Sequence, residues 1–217
     1  MGAVIRGVPT GQMPLEYSVA ARSFPGERKS GDLYAVVPLP HGALIAVVDG
    51  LGHGYEAALA AEIAVMTLSA QPHLLVDHIV RRCHKALIKT RGVAMSIASL
   101  DWRDETMAWL AIGNVAGLLL HANNQGSLER EHILMRGGIV GHRLPSLRAA
   151  SLGLHRGDLL IFATDGIGEG FEEAVRLDAR PQEIADRILA RYGKTTDEAL
   201  VLVGRWNGPP VSQDATN

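Results

Sequence analysis

The chain has a single cysteine, Cys83, among 217 residues, so no internal disulfide framework is possible. It also lacks a secretory opening: Met1-Gly2-Ala3-Val4-Ile5-Arg6 is short and is soon interrupted by Pro9, Gly11 and Pro14. Together these absences point to a reducing, cytoplasmic setting. Neither sign of charge is in excess. Lys and Arg total 21, Asp and Glu 23, and the formal net charge is −2. With no basic tract, the footprint for nucleic acid or an anionic membrane is missing. No apolar run approaches the ~20 residues of a membrane span. The longest, Met107 to Leu120, is divided by Gly113-Asn114 and reads as two successive buried strands. Internal repeats and low-complexity segments are absent too. Residues 1–207 read as a single domain, and Gly208 to Asn217 as a polar, proline-broken tail.

What is present suits a globular core. Apolar residues make up 47% and charged residues 20%, and a chain this long buries roughly 70% of its unfolded surface. Short apolar or alternating segments bounded by turn residues predict strands over 15–22, 32–37, 43–48, 94–100, 107–112, 116–121, 158–164 and 199–206. Turns are expected at Asp101–Glu105 and Ala122–Gly126. Helical spacing predicts helices over 55–68, 74–88 and 181–192, the last opening on Pro181 and closing at Gly193. The order is three strands, two helices, a block of about five strands, one helix and one strand. That order favours an α+β domain over an alternating one. Two packed antiparallel sheets, each covered by helices, would bury every apolar face.

Two apolar strands stop abruptly in Asp-Gly: Ala43 to Val48 before Asp49-Gly50, and Leu159 to Thr164 before Asp165-Gly166. Asp197-Glu198 stands just before a third, Ala199 to Val203. A carboxylate at the rim of a buried strand costs desolvation unless something offsets it. Hard divalent cations such as Mg²⁺ and Mn²⁺, which take oxygen ligands, are one such partner. A lone Asp-Gly at a strand end is ordinarily a turn, and Asp158, in His155-Arg156-Gly157-Asp158, is read that way. Two near-identical strand–Asp–Gly units leave turn and metal site evenly matched. Other glycine-rich readings fail. The dinucleotide fingerprint needs glycine at 55, where Tyr55 stands, and no Gly-Lys-Ser/Thr follows for a P-loop.

Several stretches together resemble the metal-dependent PP2C-type phosphatases, in the compact bacterial branch of sporulation and stress-response enzymes (SpoIIE/RsbU-like). They are Ser30-Gly31-Asp32-Leu33-Tyr34, Val47 through Gly54 with the alanine-rich helix after it, Gly113-Asn114-Val115, Arg156 through Ile167, and Asp197-Glu198-Ala199. They keep the family's order and span residues 30 to 203. The resemblance implies a four-layer α-β-β-α sandwich with a site for two divalent cations, Mn²⁺ or Mg²⁺, at one end. By motif match Asp49 would bridge both ions and the Gly50 carbonyl would bind one. Asp165 and Asp197 would complete the shell, with Asp32 acting from nearby. The implied reaction is attack of a metal-activated water on phosphoserine or phosphothreonine, with no phosphoenzyme. Within the family the chain is similar to the stand-alone feedback phosphatase of the stressosome (RsbX type), which implies phosphorylated STAS-domain proteins as partners.

The sequence departs from the family in places. The usual Asp-Asp-x-Thr reads Asp197-Glu198-Ala199-Leu200. His53 lies two residues beyond a histidine that some relatives use to protonate the leaving group, so it either does that job or marks the helix start. Arg28 and Lys29 either steer the substrate phosphate or are surface charge. Cys83 reads as a buried structural thiol. The nine histidines show no ligand spacing such as H-E-x-x-H. Two competing classes remain. One is a catalytically inactive, phosphoprotein-binding relative, against which the three retained aspartates argue. The other is an aspartyl-nucleophile hydrolase, which needs Asp-x-Asp where this chain has Leu51 after Asp49-Gly50.

Overall fold

The computed structural model describes residues 13–27, 29–122 and 128–209. Arg28, the turn residues 123–126 and the tail from residue 210 lie outside the described residues. In chain order the strands and helices are β1 (Leu15–Arg22), β2 (Asp32–Leu39), β3 (Gly42–Gly50), α1 (Tyr55–Ala70), α2 (Val76–Leu87), β4 (Val93–Asp101) and β5 (Thr106–Ile112). There follow β6 (Ala116–Ala122), β7 (Leu128–His132), β8 (Met135–Arg136), β9 (Ala150–Gly153), β10 (Leu159–Ala163), a 3-10 turn at Phe171–Ala174, α3 (Pro181–Tyr192) and β11 (Ala199–Trp206). No helix among the described residues is long and apolar enough to cross a membrane.

The strands form two sheets packed face to face. One has the order β1-β11-β10-β6-β7; the other runs β2-β3-β4-β5, with β8 and β9 sharing the outer edge of β5. Among the described residues the strands pair antiparallel, as expected, with one exception. The exception is the two-residue β8, which joins the edge of β5 in parallel through Ala111↔Met135 and Ile112↔Arg136. Three of these strands carry no sequence signal. β7 reads Leu-Glu-Arg-Glu-His along a sheet edge, β8 has two residues and β9 four. Edge strands of this kind need no buried face and so leave no alternation to read.

β3 shows why the apolar runs are continuous. Ile45 and Val47 face the space between the sheets, where they join Trp109, Phe162, Leu202 and Trp206. Leu44, Ala46 and Val48 face outward against α1 and α2. Both faces are covered, so no polar alternation survives. The alanines of α1 (Ala57, Ala60, Ala61 and Ala64) are all fully buried, and their small side chains let this helix lie close to the sheet. On the far side α3 covers the first sheet with Ile184, Ala185 and Ile188. Helices therefore flank both sheets, in four layers.

The apolar run from Met107 to Leu120 belongs to two different sheets: β5 lies in one and β6 in the other. Gly113-Asn114 carries the chain across one mouth of the sandwich. Cys83 is fully buried, its Sγ 3.8 Å from the Ala64 carbonyl, and burial pushes the thiol up to about 12. A thiol held that far from ionisation is structural.

Candidate metal centre

That same mouth gathers the acidic residues. Asp32 opens β2 and stands opposite Asp49, the penultimate residue of β3, in the β2–β3 register. Asp165 follows β10 by two residues and Asp197 precedes β11 by two, and these strands are hydrogen-bonded neighbours. Asp49, Asp165 and Asp197 line one cleft of about 510 Å³ with His53 and Asn114. Asp32 is buried and sits beside them.

The glycine after each aspartate has a defined cause. At Gly50 a Cβ would lie 2.2 Å from the Ala57 carbonyl oxygen, and at Gly166 1.6 Å from that of Glu198. Backbone packs against backbone at both places, which excludes any side chain. The Gly50 N–H donates to the Gly31 carbonyl at 3.0 Å, tying the end of β3 to the start of β2.

Three residues without an assigned role in the sequence support the cluster. Asn114, delivered by the crossover after β5, donates to the Asp165 carboxylate at 2.6 Å. The Thr164 hydroxyl donates to Asp32 at 2.7 Å and accepts the Leu200 N–H at 2.9 Å. Glu198, legible in the sequence as a departure from the family's second aspartate, is almost fully buried. Its Oε2 accepts from the Ser30 hydroxyl at 2.7 Å, the Asp32 N–H at 3.1 Å and the Gly31 N–H. Each had a faint signal: Asn114 follows a glycine between two apolar strands, and Thr164 and Glu198 flank metal-type aspartates. Their partners are distant in sequence, so spacing could not name them. Leu200 leaves the start of β11 regular, paired with Ala21 and packed between the sheets.

The electrostatics are those of uncompensated negative charge. Burial, then the Asp49 carboxylate, push Asp32 up to about 8 against the pull of the Thr164 hydrogen bond. Burial, then Asp165 and Asp197, push Asp49 up to about 7. Among the described residues no Lys, Arg or His forms an ion pair with Asp32, Asp49, Asp165, Asp197 or Glu198. Lys194 approaches Asp165, but it donates to the backbone carbonyl at 2.6 Å. Glu198 Oε1 is buried without a hydrogen-bond partner among the described residues.

Such a cluster calls for a cation that the protein's own side chains do not supply. An all-oxygen donor set selects hard divalent ions. The residues therefore fit Mg²⁺ or Mn²⁺.

Two further expected residues, His53 and Lys29, lie at the periphery. His53 sits in the loop before α1, more than half exposed, stacked on Phe24 at 4.4 Å, with Nδ1 3.4 Å from Glu27 Oε1. Lys29 is paired with Glu62 of α1 at 2.9 Å, which favours the surface-charge reading.

The chain matches the family described as Stage II sporulation protein E (SpoIIE) over residues 40–216. A search of the curated proteins finds no match. Among solved structures, a protein described under the bacterial stressosome, a modular system adapted to control secondary messenger signalling, is 30% identical. The match covers 88% of this chain and 99% of that one, with a TM-score of 0.79. RsbX in complex with magnesium has the same TM-score at 20% identity, over 88% of this chain and 94% of its own. The catalytic domain of the serine/threonine phosphatase PstP with two manganese ions gives a TM-score of 0.63 at 16% identity, over 88% and 97%. At those last two identities the likeness is one of fold. The family match over most of the chain, together with a sandwich whose mouth holds a cation-seeking carboxylate cluster, shows that this chain belongs to the SpoIIE family of metal-dependent PP2C-type serine/threonine phosphatases.

Proposed function

We propose that this phosphatase removes phosphate from serine or threonine of STAS-domain proteins in a stressosome-type complex, in the cytoplasm. The observation that carries its chemistry is the gathering of Asp32, Asp49, Asp165, Asp197 and Glu198 at one mouth with no basic partner among the described residues. Asp49, Asp165 and Asp197, with the Gly50 carbonyl, would hold two divalent cations, Mn²⁺ or Mg²⁺, with Asp32 acting from nearby. Two such cations, when bound, would supply a water of lowered pKa and positive charge for the phosphoryl oxygens. The chain's own residues do the positioning. Asn114 fixes the Asp165 carboxylate, Thr164 fixes that of Asp32, and Glu198 holds the Ser30–Asp32 backbone beside them.

His53 lines the cleft that holds the aspartates and is more than half exposed, so the acid role is assigned to it. Arg28, whose guanidinium suits a phosphate, is assigned to the substrate. The substrate class rests on the 30% identity to a stressosome protein over nearly that protein's full length.

The test is an assay on p-nitrophenyl phosphate with EDTA, then with added Mn²⁺, followed by a phosphorylated STAS protein beside an unrelated phosphoserine peptide. Activity abolished by EDTA, restored by Mn²⁺ and higher on the STAS protein supports the whole reading. Equal rates on both phosphoproteins would remove the substrate assignment alone. Activity indifferent to EDTA would remove the metal assignment.

A further inference from the structure

The inner faces of the two sheets meet solvent at a second mouth. The chain traverses β10 from Asp158 to Asp165, so the two mouths lie about 23 Å apart at the rise of a strand. At this far mouth the structure gathers His121, Glu131, His155 and Asp158. Leu159 pairs with Leu120 and Leu119 with Glu131, so Asp158 falls opposite His121 and Glu131 lies diagonal to it. The turn His155-Arg156-Gly157 then folds His155 back over Asp158. That turn was the ordinary feature of the sequence, yet the Asp158 side chain is fully buried. Its Oδ2 accepts the His155 N–H at 2.8 Å.

The hydrogen bonding of His121 is unusual. Its Nδ1 lies 2.9 Å from Asp158 Oδ2 and its Nε2 3.0 Å from Glu131 Oε1. A neutral imidazole has one N–H and one lone pair. When Nε2–H donates to Glu131, the Nδ1 lone pair faces a carboxylate oxygen, and that contact requires a cation between them. The ion is a proton or a metal. A second imidazole decides which is favoured, because His155 Nδ1 lies 3.6 Å from the same Asp158 oxygen. One donor atom from each of His121, His155 and Asp158 falls within 4.8 Å of the others. Tetrahedral zinc with bonds of 2.0–2.2 Å sets its ligand atoms about 3.3 Å apart. The spacings of 2.9 and 3.6 Å bracket that value.

We propose that His121 Nδ1, His155 Nδ1 and Asp158 Oδ2 form a second metal site for a zinc-type transition ion, distinct in position and chemistry from the carboxylate mouth. Glu131 orients His121 as a metal-ligating histidine is commonly oriented, by accepting its other N–H. Two imidazoles and one carboxylate select zinc-type ions over Mg²⁺ or Mn²⁺. His155 is largely exposed, so the fourth position opens to solvent. The ion would clamp β6 to the turn before β10.

Cobalt(II) is the probe, because a four-coordinate site with nitrogen ligands gives intense visible d–d bands and a six-coordinate oxygen site gives weak ones. The full chain titrated with Co²⁺ should develop intense bands that one equivalent of Zn²⁺ removes. His155→Ala, at an exposed side chain, should lose the bands and bind one Zn²⁺ fewer while keeping its Mn²⁺-dependent phosphatase activity. Glu131→Gln should weaken Co²⁺ binding by about 10–100-fold. Asp165→Asn, altered at the other mouth, should keep the bands. Absence of intense bands in the unaltered chain, or bands that His155→Ala leaves unchanged, overturns the proposal. The cluster is then an imidazolium held between two carboxylates.

Discussion

Asp32 and Asp49 stand directly opposite each other across the β2–β3 ladder, two carboxylates in one register pair. Burial is the main cost of ionising either: with the Asp49 charge second it pushes Asp32 up to about 8, and with Asp165 and Asp197 second it pushes Asp49 up to about 7. A fold that keeps such a pair is arranged around a cation.

The first expectation concerns the metal-free chain. Both carboxyls have folded-state pKa values above the unfolded value near 4, so the folded state binds more protons between the two. Stability is full at the acid end of that window and falls as pH rises from about 4 towards 8. The pair titrates as a unit. In EDTA the melting temperature should drop by several degrees over that range, and Mn²⁺ at pH 8 should restore it. Asp32→Asn should flatten the slope. A melting temperature independent of pH in EDTA would contradict the burial argument.

Asp165 is exposed and outside β10, so Asp165→Asn should leave the fold within a few degrees of its original melting temperature. Phosphatase activity should fall by more than about 100-fold, beyond what replacing an orienting residue costs. Asn114→Ala removes the hydrogen bond that orients Asp165, and the Mn²⁺ concentration needed for half-maximal activity should rise by about 10–100-fold. Activation curves against Mn²⁺ separate the two effects.

Glu198→Ala leaves the Ser30 hydroxyl and the N–H groups of Gly31 and Asp32 without their shared acceptor. Each buried donor left unmade costs about 1–3 kcal/mol, so urea unfolding should show a loss of at least about 2 kcal/mol. Glu198→Gln keeps one acceptor oxygen and should lose less. Equal losses would mean that packing, not the shared carboxylate, holds this turn.

Gly166→Ala places a Cβ where the Glu198 carbonyl already stands. Overpacking against backbone costs about 1–3 kcal/mol and sometimes more, so the variant should be clearly destabilised. The strain falls between Asp165 and Glu198, so Mn²⁺ affinity should fall with it. Unfolding and Mn²⁺ activation measured on one preparation would show both.

Much of this protein is written locally. β1 and β11 begin and end at the expected residues, as does α3 between Pro181 and Gly193. The reason is that an amphipathic period or an apolar run bounded by turn residues is a property of neighbours in the chain. Asp49 and Asp165 stood out in the sequence by repetition, two near-identical strands each stopping in Asp-Gly, although that pattern alone left turn and metal site evenly matched.

What the sequence alone determined is thus the helices and the long strands but not β7, β8 and β9, together with the strand ends that carry acid and the family whose motifs keep this order. The tertiary structure decided which side chains meet. Glu198 holds a turn 167 residues away, Asn114 holds an aspartate 51 residues away, and an apparent turn residue, Asp158, lies between two histidines. Sequence periodicity records which face of an element is buried. The partner of a polar group at the end of a strand depends on which ends are brought to the same mouth, and that follows from strand order and register across two sheets.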